Sequence, residues 1–190
     1  MRKSTYNIDS LFLNRWSPRA MSGESLSNDE MMRLFDAARW APSSYNNQPW
    51  RFLYATKDTE HWKLFYNLLS DPNKTWAKNA SVLMVVVSKK TFDYNDKPSI
   101  THSFDAGAAW ENLALQGTLS GLVIHAMQGF DYERARDELG IPDDYSVEAM
   151  IAVGKPGKKE DLAPPLQEME IQSDRRPLKD IIKEGRWGNL

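Results

Sequence analysis

Trp40-Ala-Pro-Ser-Ser-Tyr-Asn-Asn-Gln-Pro-Trp50 is the stretch around which the rest of the chain is read. A helical pattern stops at Pro42, and a strand-like run begins at Trp50. Between them lie two hydroxyls, three side-chain amides and a phenol, without a charge. Solvated loops draw on Lys, Glu, Asp and Gly. A neutral array of donors and acceptors between two tryptophans suits a flat ligand with polar edges. A connector rich in Asx and Ser turns accounts for the same residues equally well.

Upstream, Ser27-Asn-Asp-Glu30 is a capping box, with acidic residues at the positive end of the helix it starts. Met31, Leu34, Phe35 and Ala38 then recur at helical spacing, so this helix runs to about Trp40 and delivers the chain into the loop. Downstream, Trp50–Thr56 reads as a strand. Asp58 or Thr59 caps a second helix reaching Leu69, and Asp71–Trp76 breaks it. Ser81–Ser88 is apolar almost throughout, as in a central strand covered on both faces. Residues 89–101 form a polar loop or lid.

Ser103–Gly121 is the longest helix candidate, and its many small residues let other backbones approach it, which places it centrally. Leu122–Met127 and Val147–Val153 are further strands, around a charged helix from Tyr132 to Leu139 that Gly140 and Pro142 end. From Lys158 onward the chain is polar, contains Pro164-Pro165, and reads as an arm. The order predicts a mixed sheet between helical layers, in one domain spanning 1–190.

Composition narrows the chemistry. There is no cysteine, which removes disulfides, thiolate catalysis and thiolate metal sites. Net charge is −2, and no Lys/Arg run is long enough for a nucleic-acid footprint. No apolar run approaches the roughly 20 residues that span a bilayer, and the basic start lacks the apolar segment of a secretory signal, so a cytoplasmic location is expected. His61, His102 and His125 lack ligand spacing. Gly154-x-x-Gly157-Lys158-Lys159 lacks the Walker spacing, and no serine sits in a G-x-S-x-G elbow. A chain with no nucleophile, metal or acid–base pair in evidence borrows its chemistry from a cofactor.

Arg15, Ser17 and Arg19 alternate beside Pro18, which favours extension at Ser17. In an extended segment their side chains share one face, where two guanidiniums and a hydroxyl converge on an anion; a pair of exposed arginines beside a turn is the alternative. Gly129 serves either a turn with φ > 0 or a close backbone approach to a flat ligand. Asn73 reads as a turn residue, and Arg175-Arg176 as a solvated basic patch.

Pro42-Ser43-Ser44-Tyr45-Asn46-Asn47-Gln48-Pro49-Trp50 resembles the P-S-S-x-N-x-Q-P-W signature of the flavin-dependent nitroreductase family. Four further segments resemble that family's motifs in the same order: Arg15–Arg19, the core helix at Ala109–Leu122, Met127–Gly129 and Arg175-Arg176. The resemblance implies an α+β, three-layer α/β/α sandwich with a mixed, mostly antiparallel sheet around a long central helix. It also implies a homodimer with an exchanged C-terminal arm, and FMN as cofactor.

By the same resemblance, Arg15, Ser17, Arg19, Arg175 and Arg176 hold the flavin phosphate, with a backbone contact at Trp16. Pro42, Ser43, Ser44, Asn46 and Gln48 form the loop that meets the ring and ribityl chain from the partner subunit. Asn73 lies near the ring, and the backbone of Met127, Gln128 and Gly129 faces its reactive edge. No protein residue is implied as catalytic, because flavin N5 carries the chemistry. The implied activity is ping-pong hydride transfer from NAD(P)H to nitroaromatics, quinones or similar small acceptors. Ene reduction, dehalogenation and azoline oxidation occur on the same fold, and a non-catalytic flavin- or nucleotide-binding module is the reading from another class.

Overall fold

Strand β2 (Val82–Lys89) is buried along all but its last residue in a computed structural model of the chain, which describes residues 2–187. Leu83, Val85 and Val87 enter one core, while Val82, Met84 and Val86 enter the other. Both faces are apolar, so the sequence shows a continuous run instead of alternation. Strands β1 (Trp50–Thr56) and β4 (Tyr145–Gly154) flank β2, and β3 (Val123–Met127) lies outside β4, in the order β1-β2-β4-β3. Each pairing is antiparallel. Trp50 faces Ser88 and Met127 faces Met150. Between β2 and β4 the register slips: Val86 faces Ala149 but Val87 faces Val147, leaving Glu148 as the extra residue of a β-bulge.

One face of the sheet is covered by α2 (Asn28–Arg39) and α5 (His102–Leu119), through Leu34, Ala38, Ala109 and Leu113. The other is covered by α3 (Trp62–Leu68), α4 (Asp71–Ala77) and α6 (Tyr132–Glu138), through Phe65, Leu68, Trp76 and Ala135. Burying a leucine or phenylalanine of this kind contributes about 1.5–3 kcal/mol. This is the three-layer α+β sandwich that the resemblance implies, except that the sheet is antiparallel at every described pairing and not mixed. The capping box at Ser27 and Glu30 is formed in both directions. On α5, a Cβ added at Gly117 would sit 2.3 Å from Ile124 Cγ1, so the helix lies nearer to β3 than alanine allows.

Three local readings change. Asp71–Trp76 is a helix, α4, because Pro72 falls in the first turn, where its missing N–H costs nothing. Helix α3 begins at Trp62 without a side-chain cap, because the cap position falls at His61, past Asp58 and Thr59. A five-residue helix, α1 (Ser10–Asn14), precedes the arginine segment and is capped by Asp9. The tail contains α7 (Pro164–Met169), started by the two prolines, and beyond Ile171 its described residues are exposed.

Candidate functional site

Arginines from both ends of the chain converge on one cavity. Arg2, Arg15, Arg19 and Arg175 line a space of about 430 Å³, together with Trp16, Ser17 and His125. The capped helix α1 ends at Asn14 and releases the chain in an extended conformation at Arg15. Arg2 ties the two ends together: Nε donates to the Ser173 carbonyl at 2.7 Å, and Nη1 to the Arg15 carbonyl at 2.8 Å. Burial pulls the Arg2 guanidinium below its ordinary value, followed by the charges of Arg175 and Arg15. Burial disfavours the charged form, the two neighbouring cations add to that effect, and Asp174 opposes it.

The counter-charges are peripheral. Glu111 on α5 stands 3.6 Å from Arg15, and Glu170 stands 3.9 Å from Arg19. Glu170 is buried at the end of α7, where Oε1 accepts from the backbone N–H of Arg19 at 2.7 Å and of Ala20 at 2.8 Å. It therefore fixes the extended segment to the tail. His125 Nδ1–H donates to the Pro18 carbonyl at 2.8 Å, and its ring packs on Trp76. Burial pushes this imidazole below its ordinary value of 6.5, and the Pro18 bond only partly opposes the shift. It is neutral at pH 7 and adds no charge to the cavity. Four guanidiniums with a hydroxyl among them fit a phosphate dianion, which arginine forks bind in bidentate fashion.

The loop between α2 and β1 is of another kind. Tyr45, Asn46 and Gln48 have φ of 50°, 54° and 47°, the left-handed region that non-glycine residues avoid at about 1–2 kcal/mol each. The Gln48 N–H donates to Ser43 Oγ at 3.0 Å, and the Ser44 N–H to buried Asp105 on α5 at 3.1 Å. Asn47 ties the loop to the 89–101 segment: its amide donates to the Thr91 carbonyl and accepts from the Asp93 N–H. Pro42, Tyr45 and Asn46 are exposed. None of the loop's residues lines the arginine cavity.

At the end of β3 a third group forms. Asn73 Nδ2 donates to the Gly129 carbonyl at 3.0 Å, and the Ser70 N–H donates to the same oxygen. A Cβ at Gly129 would meet Asn73 Nδ2 at 2.6 Å and Ser70 Oγ at 2.9 Å. Gly129 does not have a positive φ, so the turn explanation fails, and the close approach is that of Asn73. Met127 is buried, whereas Gln128 is exposed.

The structure thus joins Arg15, Trp16, Ser17 and Arg19 to Arg175, and Asn73 to Gly129. It leaves Pro42, Ser43, Ser44, Asn46 and Gln48 apart from the arginines. Arg176 is exposed and lies outside the cavity lining. Arg2, Glu170 and Asn47 escape the sequence reading. Arg2 and Glu170 act across 171 and 151 residues, which no local pattern reveals. No group of three or more potential metal ligands occurs among the described residues, and none of their helices is long and apolar enough to cross a membrane.

The nitroreductase family model matches residues 13–74 and 64–155, so the chain belongs to the nitroreductase family. A solved oxidoreductase containing FMN superposes with a TM-score of 0.95 at 48% identity, over 100% of this chain and 97% of that one. Protein DrgA of Synechocystis is 25% identical over 83% of this chain and 90% of its own. An oxygen-insensitive NADPH nitroreductase of Helicobacter acinonychis is 37% identical over a segment covering 35% of this chain and 30% of that protein.

Proposed function

We propose that the protein is an FMN-dependent NAD(P)H oxidoreductase that reduces nitroaromatics, quinones or similar small acceptors as a homodimer. The observation that carries this reading is the meeting of Arg2, Arg15, Arg19 and Arg175 around Ser17 in one cavity. Arg15, Arg19 and Arg175 would hold the phosphate through charge-assisted bonds, each contributing about 1.5–3 kcal/mol. Arg2 and Glu170 hold the backbone of that segment in place. Bound FMN would supply the redox chemistry, hydride transfer between NAD(P)H and the acceptor in a ping-pong cycle. Asn73 fixes the Gly129 carbonyl, and the Met127–Gly129 backbone would lie along the ring's edge.

A second copy of the chain is part of the proposal. The Pro42–Gln48 residues hold an energetically costly conformation away from the arginines of their own chain, which suits service to a neighbour's site. Phe12, Phe104 and Leu119, on α1 and α5, and Ile171, Ile181 and Ile182, on the arm, are exposed, a supply of apolar surface for such an interface. Anaerobic addition of NAD(P)H to FMN-loaded protein tests the activity. Bleaching of the flavin band within seconds supports the enzyme, and an unbleached band supports a non-catalytic flavin module instead.

A further inference from the structure

Glu148, the bulged residue of β4, has no place in the flavin reading, yet its carboxylate is firmly held. Its Oε1 accepts from the Ser103 hydroxyl at 2.7 Å and from the Ser88 hydroxyl. Ser88 Oγ in turn lies 2.7 Å from His102 Nδ1. The same His102 Nδ1 stands 3.7 Å from Glu148 Oε1, so with a proton on Nδ1 and the Ser88 hydroxyl turned to Glu148 the contacts run from imidazole to hydroxyl to carboxylate, all on the Oε1 side. Oε2 has no hydrogen-bond partner among the described residues. A carboxylate fixed by one oxygen and open at the other is a pre-organised acceptor, and bulges serve to aim side chains in this way.

That carboxylate forms one wall of a recess of about 140 Å³, with Trp110, Ala106 and Ala126 among its apolar walls and Gly107 on α5. A Cβ at Gly107 would meet nothing within 4 Å, so the space beside it is open. An apolar cavity of about 150 Å³ accepts a benzene ring. We propose that the recess between Glu148 and Trp110 binds a single-ring aromatic ligand that presents a cationic or hydrogen-bond-donating group, and that it rejects carboxylates. The Oε2 atom receives the donor group, and the apolar walls with Trp110 take the ring. Ala126 immediately precedes Met127–Gly129 in the chain. The recess stands on its own geometry; its service as the acceptor's subsite rests on the flavin reading above and holds for acceptors that carry a donor or cationic group besides the group reduced.

Calorimetric titration of FMN-supplemented protein with benzamidine and benzoate, probes of one shape and opposite charge, tests the recess. Benzamidine should bind at least about tenfold more tightly than benzoate, as one charge-assisted bond allows. Glu148→Gln, which keeps an acceptor for both serines, should bring the two within about twofold of each other. Gly107→Leu should abolish benzamidine binding by filling the space. Equal binding of the two probes, no saturable binding of either, or an unchanged preference in Glu148→Gln overturns the proposal. If Glu148→Gln does not fold by circular dichroism, Gly107→Leu decides: retained benzamidine affinity overturns the recess. The visible flavin band is read in the same samples. Protein that takes up no FMN yet discriminates the probes keeps the recess and removes the flavin reading, while FMN-loaded protein without discrimination does the reverse. In turnover, benzamidine should raise KM for the acceptor at constant kcat, and a fall in kcat alone overturns the subsite assignment.

Discussion

The arginine cavity and the Pro42–Trp50 loop carry two halves of one family signature, and they are built in opposite ways. The cavity gathers side chains from the first and last parts of the chain, and it is closed by bonds spanning more than 150 residues. The loop is contiguous, uncharged, and held in left-handed backbone conformations at Tyr45, Asn46 and Gln48. The cavity is charged, and its lining comes from one chain. The loop is braced by Asp105 and by the 89–101 segment, and none of its residues lines the arginine cavity. Local strain maintained by surrounding structure belongs where pre-organisation serves a ligand.

The sharpest way to break this contrast is to remove charge from the cavity. Arg15→Ala combined with Arg19→Ala should weaken FMN binding by at least about a hundredfold, at two charge-assisted bonds of about 1.5–3 kcal/mol each. Flavin fluorescence titration reads this, and an unchanged affinity would remove the phosphate assignment. Next in size is Glu170→Ala. It leaves the Arg19 and Ala20 N–H groups without their acceptor and releases the tail, at a cost of about 1–3 kcal/mol each if those groups stay buried. Denaturant midpoints and proteolysis of the tail should both show it; a tail as resistant as before would refute the latch.

Gly129→Ala should cost about 1–2 kcal/mol, because the new Cβ drives Asn73 off the Gly129 carbonyl. It should also lower FMN affinity, since that backbone loses its support; equal stability and affinity would contradict the close approach.

Gln48→Gly separates the two regions. It relieves a left-handed residue, so stability should hold or rise by about 0.5–1 kcal/mol, while FMN affinity falls with the lost amide. A parallel loss of both would mean that the loop is simply structural.

The smallest effect expected is that of pH. The folded-state value of His125 lies below its unfolded value of 6.5, so its neutral form is favoured by folding. Stability is full above pH ~6.5 and declines as the pH falls toward the folded value, where protonation of the buried ring must be forced. His125→Phe should flatten that part of the stability profile measured by denaturation. An equally steep profile in the variant would place the dependence elsewhere.

Most of the architecture is legible in local pattern. The Ser27–Glu30 capping box, the doubly buried run of β2 and the small-residue helix α5 each declare themselves within a few turns or one strand. What escaped follows from two causes. Pro72 reads as a breaker, although the first turn of a helix tolerates it. Partnerships such as Glu170 with Arg19, or Glu148 with Ser88 and Ser103, depend on register and on a bulge, and composition encodes neither. The arginine spacing foretold a shared face for Arg15, Ser17 and Arg19, but Arg2 joins them only because the tail lies beside the N-terminal segment.

Complementation between two defective variants tests the two-chain site most directly. Arg15→Ala/Arg19→Ala protein is co-refolded with a loop variant carrying Ser43→Ala, Ser44→Ala, Asn46→Ala and Gln48→Ala, and bound FMN is counted. Each mixed dimer regains one intact site, so about a quarter of all sites should fill although neither variant binds flavin alone. No recovery on mixing two folded variants, or stoichiometric FMN on a monomeric wild-type chain, would contradict the account.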